Sequence, residues 1–203
     1  MPRTARIVFP EVPHHITQRG VRRMNVFFSD EDRTEYLKHL AEQGERFGVT
    51  YLAWCLMTNH AHLIAIPEEE QSLARGIGEA HRKYTRYVNF REGWRGYLFQ
   101  GRFHSFPLEA AYLLAALRYV LRNPVRAGIA RRPWDYPWSS AKWFVGVRLG
   151  VRPLFSNRGV GCSAEAVRIS GPGDSDTTYR YTVPRDPTGM TWRTSTSSRI
   201  DSS

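Results

Sequence analysis

Cysteine is nearly missing from this chain, with Cys55 and Cys162 the only two in 203 residues. That rules out a disulfide scaffold and a zinc site built from cysteines. Lysine is scarce too: only Lys38, Lys83 and Lys142 stand among 29 basic residues, and the rest are arginines. No stretch approaches the ~20 apolar residues of a membrane-spanning helix. The basic segment Met1 to Pro13 lacks the apolar run of a secretory leader. No basic amphipathic helix or lipidation motif stands out, which weakens any membrane partner. These absences predict a protein of the reducing cytoplasm, associated with the nucleoid if its partner is DNA.

What the chain does have is arginine and apolar surface. A hydrophobic fraction of 41% suffices for a core, and the length suits one domain with perhaps a tail. The formal charge is +10, and the isoelectric point is about 10.1. Guanidinium is a planar fork that matches phosphate oxygens, so nucleic acid is the leading partner.

Periodicity predicts the order of elements. His14 to Gly20 alternates weakly and reads as a first strand. Ser29-Asp30-Glu31-Asp32 is rich in helix-starting residues, and Tyr36, Leu37, Leu40 and Phe47 follow at helical spacing until Gly48. Val49 to Met57 and His60 to Ile66 read as a hairpin turning at Thr58-Asn59 and closed by Pro67. A second helix is predicted over 72–91, with Leu73, Ile77, Tyr84 and Val88 on its apolar side. A strand over 102–108 and a helix over 109–121 follow, the helix ending at Asn123-Pro124. The order β-α-β-β-α-β plus a helix predicts an α+β fold. Its plan is the ferredoxin-like split βαβ antiparallel sheet, with helices on one face and an added C-terminal helix. From about Asn157 the chain turns polar and loses apolar periodicity, so disorder is expected there.

The most informative pair is His60 and His62 within Trp54 to Ile66. On a strand, residues two apart project to one face, so both imidazoles can grip one cation. The plainer reading is a strand with two satisfied polar residues. Against it, an unpartnered imidazole in an apolar strand is costly. Imidazoles suit zinc, manganese, copper or nickel, while magnesium prefers oxygen, so the residues leave the metal open. The His-x-His of barrel amidohydrolases is a rival, but those barrels need ~250 residues.

Tyr112 and Tyr119 lie on the third predicted helix. A phenol has a pKa of ~10 and attacks phosphorus only with help from a cation or base. Either tyrosine alone is well explained as a core-edge residue. Tyr119 is singled out by Asn123, four residues on and so on the same helical face. The phenol could then serve as nucleophile and the amide oxygen as a third ligand. Arg19, Arg22 and Arg23 follow the first strand, Arg82 lies on the second helix, and Arg102 ends a segment with Tyr97 and Phe99. A solvated face explains any one cluster. Together, basic residues among aromatics suit single strands or unpaired loops.

Four segments carry a family resemblance: Asn59-His-Ala-His-Leu63, Leu98-Phe-Gln-Gly-Arg-Phe-His-Ser105, Leu117-Arg-Tyr-Val-Leu-Arg-Asn-Pro-Val-Arg-Ala-Gly128 and Trp134-Asp-Tyr-Pro-Trp-Ser-Ser140. In this order they resemble the HUH single-tyrosine transposases, most of all the branch of REP-associated tyrosine transposases. Pro2 to Arg6 and His14 to Gly20 also fit that branch, and the resemblance spans roughly residues 2 to 150.

The resemblance implies a transposase domain over 1–150, and the polar composition beyond it predicts a low-complexity tail over 151–203. It implies that His60 and His62 hold a divalent metal, usually magnesium or manganese, and that Tyr119 is the nucleophile. Related transposases carry a further ligand, a glutamine, four residues after the tyrosine, where this chain has Asn123. Members cleave and rejoin single-stranded DNA at imperfect palindromic hairpins, as dimers or monomers. From their charge and clustering, Arg19, Arg22, Arg23, Arg82 and Arg102 are expected DNA contacts, and His15 and Gln100 are expected near the site without an assigned role. The rival expectation is a non-catalytic DNA or RNA hairpin-binding protein of the same fold.

Overall fold

The computed structural model describes residues 7–145, all within the first of two units, Met1–Ser156. The tail expected over 151–203 lies outside the described residues.

Strand β1 is His14–Arg19, helix α1 is Asp30–Phe47, and strands β2 and β3 are Val49–Met57 and His60–Pro67. Helix α2 is Ser72–Glu92, strand β4 is His104–Pro107, helix α3 is Ala110–Leu121 and the short helix α4 is Asn123–Arg126. The sheet order is β2-β3-β1-β4, with each neighbouring pair antiparallel. This is the expected α+β split βαβ plan, and it puts β3 inside the sheet.

Local chemistry sets the boundaries. Ser29 caps α1: its Oγ accepts from the Asp32 backbone N–H at 3.3 Å, and Asp32 Oδ2 accepts from the Ser29 N–H at 3.2 Å. Asp32 is fully buried and also pairs with Arg91, tying the start of α1 to the end of α2. Gly48 ends α1 at φ +65°, where an added Cβ would lie 2.4 Å from the Glu68 carboxylate.

The apolar stripe of α2, Leu73, Ile77, Tyr84 and Val88, is fully buried. It joins Tyr36 and Leu40 of α1 and Ile16, Leu56, Leu63 and Ala65 of the sheet in one core. Each such aliphatic side chain contributes roughly 1.5–3 kcal/mol by leaving water. Because side chains alternate, His60 and His62 project to the opposite face from Leu63 and Ala65. There α3 packs, burying Leu117, Val120 and Leu121 against β2 and β3.

Two expectations shift. The strand predicted over 102–108 is only His104–Pro107, because Gly101 at φ +66° turns the chain and Phe103 dives into the core. The helix carrying Tyr119 stops at Leu121 as expected, but Asn123 does not share its face by simple continuation. Arg122, at φ −86° and ψ 0°, separates it from α4, so Asn123 opens a new helix instead of extending the old one.

The Trp134 to Ser140 segment seals the outer edge of β2. Leu56 N–H donates to Trp138 O at 2.8 Å, Tyr136 Oη donates to Leu56 O at 2.7 Å, and Ser140 Oγ accepts from Trp54 N–H at 3.0 Å. An edge strand otherwise leaves these groups open to pairing with other chains. Cys55, expected in the core, is fully buried, and burial pushes its thiol up to about 12.

Candidate nucleic-acid cleavage site

The site is built where the β2–β3 turn meets the end of β1. Register pairs His60 with Arg19 and His62 with Thr17 across β1, and with Met57 and Cys55 across β2. The two imidazoles share a face, with ring centroids 5.0 Å apart and planes at 83°.

Tyr119 reaches the same place from α3. Its ring stands edge-on to His62 at 5.6 Å and to His15 at 5.8 Å. It is 41% exposed, so the phenol opens to solvent instead of pointing into packed interior. Strand and helix thus bring together three of the residues singled out from sequence.

Two further residues complete the cluster. His15 lies beside His62, with Nε2 3.1 Å from His62 Nδ1 and ring planes within 14°. The Arg126 guanidinium lies 4.9 Å from the centre of the Tyr119 ring, close enough to act electrostatically on His62. Arg126 sits beyond the helix break, seven residues after Tyr119.

Burial and mutual repulsion keep these imidazoles neutral. His62 is lowered to about 3, first by burial and then by His60, His15 and Arg126. His60 is lowered by burial and by the Arg19 guanidinium, and His15 by burial. Neutral imidazole is the form that binds a metal. Asn59 Oδ1 lies 2.7 Å from His60 Nδ1 and His15 Nε2 lies 3.1 Å from His62 Nδ1, so the Nδ1 of each histidine meets a polar partner. That arrangement fits a cation. Among the described residues, no group of three or more His, Cys, Asp or Glu is placed to hold one. Asn123 is half-buried at the start of α4, and no hydrogen bond is made by its side chain among the described residues.

The arginines divide. Arg19 extends from the end of β1 and donates from Nε to Gln100 Oε1 at 2.8 Å, which places Gln100 at the same rim. Arg22 and Arg23 are exposed on a turn with φ of +52° and +61°. The turn is possible because Gly20 has no Cβ, which would lie 2.2 Å from Met24 O. Arg82 is on α2, in the helical layer across the sheet from the histidines, and its Nε donates to Glu79 Oε2 at 2.8 Å. Arg102 is exposed in the turn before β4.

Comparison with known proteins now adds to this geometry. Residues 9–123 match the family model described as IS200-like transposase. The fold is similar to the structure of a REP-associated tyrosine transposase bound to a REP hairpin, with a TM-score of 0.60 and 19% identity. That match covers 87% of this chain and 99% of the other. A transposase-like protein of Deinococcus radiodurans R1 aligns over 61% of this chain and 97% of its own at 17% identity, with a TM-score of 0.40. None of the curated proteins matches the chain.

Proposed function

The chain belongs to the family of IS200-like transposases, and we propose that it is a metal-dependent endonuclease and strand transferase acting on single-stranded DNA at palindromic hairpins. One observation carries this reading: the Tyr119 phenol meets the His62 imidazole at the mouth of a pair of neutral histidines.

In this reading His60 and His62 hold a divalent ion, magnesium or manganese, with Asn123 as a further ligand. A bound divalent ion supplies Lewis-acid stabilisation of charge on the scissile phosphate. Tyr119 Oη attacks phosphorus while the bond to the departing deoxyribose oxygen breaks. The phenol gives up its proton, and the departing oxygen takes one up. The phosphotyrosine link keeps the diester for a second strand's hydroxyl, so rejoining needs no external energy source. Arg126, over the Tyr119 ring, is positioned to offset charge on phenolate and phosphate.

Arg19, Arg22 and Arg23 lie around the same end of the sheet and serve as DNA backbone contacts. Arg82 and Arg102 are more peripheral contacts. The solved relative is described as bound to a REP hairpin, which supports a hairpin as substrate here. Among the described residues no helix is long and apolar enough to cross a membrane, and action on DNA fits a cytoplasmic, nucleoid-associated protein.

The test is incubation with a labelled hairpin oligonucleotide and manganese. A protein–DNA adduct that survives denaturant, and is absent from Tyr119→Phe, is the expected result. A gel shift with no adduct under any divalent metal would establish a hairpin-binding protein instead.

A further inference from the structure

The two histidines do not stand alone on their face: Nδ1 of each meets a polar side-chain atom. A neutral imidazole carries one N–H and one lone pair, so a partner at Nδ1 decides what Nε2 can do.

For His60 the local bonds fix the answer. Asn59 Nδ2 donates to the backbone carbonyl of Arg23 at 3.2 Å. A carbonyl only accepts, so the amide nitrogen must face Arg23 and the amide oxygen is left towards His60. That oxygen lies 2.7 Å from His60 Nδ1, which must therefore carry the proton. His60 Nε2 keeps its lone pair. Asn59 thereby links the arginine turn to the histidine beside it.

For His62 the partner is another imidazole. His15 Nε2 lies 3.1 Å from His62 Nδ1, with planes within 14° and centroids 5.4 Å apart, as an in-plane N–H···N bond requires. If His15 donated, His62 would carry its proton on Nε2 and could hold no cation there. If His62 donates, Nε2 is free, and His15 carries its own proton on Nδ1.

We propose that Asn59 and His15 are positioning residues that accept the Nδ1 protons of His60 and His62, so that both imidazoles present Nε2 lone pairs to one divalent cation. This rests on the reading of His60 and His62 as metal ligands. Partners of this kind fix ring orientation and tautomer, and losing one typically costs about 10–100-fold in metal affinity.

The test has two arms on the full chain without DNA. In the first, long-range 1H–15N correlation of histidine-labelled, metal-free protein reads tautomers directly. The expected result is an Nδ1–H form for His15, His60 and His62, and an Nε2–H form at His60 or His62 overturns the proposal. In the second, manganese affinity is measured by calorimetry, with circular dichroism confirming that each variant is folded. His15→Phe and Asn59→Ala are expected to bind about 10–100-fold more weakly. His15→Gln and Asn59→Asp, which keep an accepting oxygen, recover part of the loss. Wild-type affinity in both His15→Phe and Asn59→Ala overturns the positioning role while leaving the metal site standing. No manganese binding by the wild-type protein overturns the metal site itself, and the proposal with it.

Discussion

His62 and Tyr119 meet edge to face with ring centroids 5.6 Å apart, although one comes from the centre of a sheet and the other from a helix packed on it. Under the proposed reading, this contact sets the phenol beside the imidazoles that would hold the cation.

Arg126 extends that relationship. Its guanidinium lies 4.9 Å from the centre of the Tyr119 ring, yet it is exposed and at the end of a four-residue helix. Arg126→Ala is expected to slow strand cleavage by about 10²-fold, in line with loss of one charge-stabilising donor. Hairpin affinity falls much less. Single-turnover cleavage beside a filter-binding titration separates the two effects, and equal losses in both would reduce Arg126 to an ordinary backbone contact.

The turn that carries Arg22 and Arg23 depends on Gly20. A Cβ there would lie 2.2 Å from Met24 O and 2.9 Å from Val26 Cγ1. Gly20→Ala is expected to destabilise the fold by about 1–3 kcal/mol, read as a shifted midpoint in urea unfolding. An unchanged midpoint would mean the turn yields freely.

Much of this was legible in the sequence. Ser29 with Asp32, Gly48 and the alternation through Val49–Met57 are local signals, and the elements begin and end close to where they point. The convergence of His60, His62 and Tyr119 was implied by the family resemblance, and the rings do meet. His15 was expected near the site, but its role beside His62 was not legible. His14 and His15 are neighbours on opposite faces of β1, and only the pairing of His15 with Ile64 and of Thr17 with His62 decides which one faces the site. That register is a long-range property. Arg126 stands seven residues after Tyr119, but Asn123-Pro124 reads as the end of the helix, so that spacing carried no signal; a short helix in fact resumes there. Arg82 shows the converse: a basic cluster on a helix looks alike from sequence whether it faces a ligand or pairs with Glu79.

Acid sensitivity follows from the depressed imidazoles. His62 is held at about 3 when folded and has an ordinary value near 6.5 when unfolded. Between those values the unfolded chain binds the proton and the folded one does not, so stability rises with pH across that window and is complete above it. Each imidazole behaving this way contributes a slope of roughly 1.4 kcal/mol per pH unit. Metal-free protein is expected to lose stability steadily as pH falls from 6.5 towards 4. His62→Gln is expected to flatten that slope in urea melts at several pH values. A wild-type stability indifferent to pH over this range would contradict the buried, neutral state of the site.

The central claim is that the nucleophile is Tyr119, acting at the histidine pair. Its most direct measurement is mass spectrometry of the trapped protein–DNA adduct after trypsin digestion, since Arg118 separates Tyr119 from Tyr112 into different peptides. The account predicts a nucleotide mass on the Tyr119–Arg122 peptide, formed only with His60 and His62 intact. Attachment to the peptide carrying Tyr112, or an adduct that persists without the histidines, would contradict it.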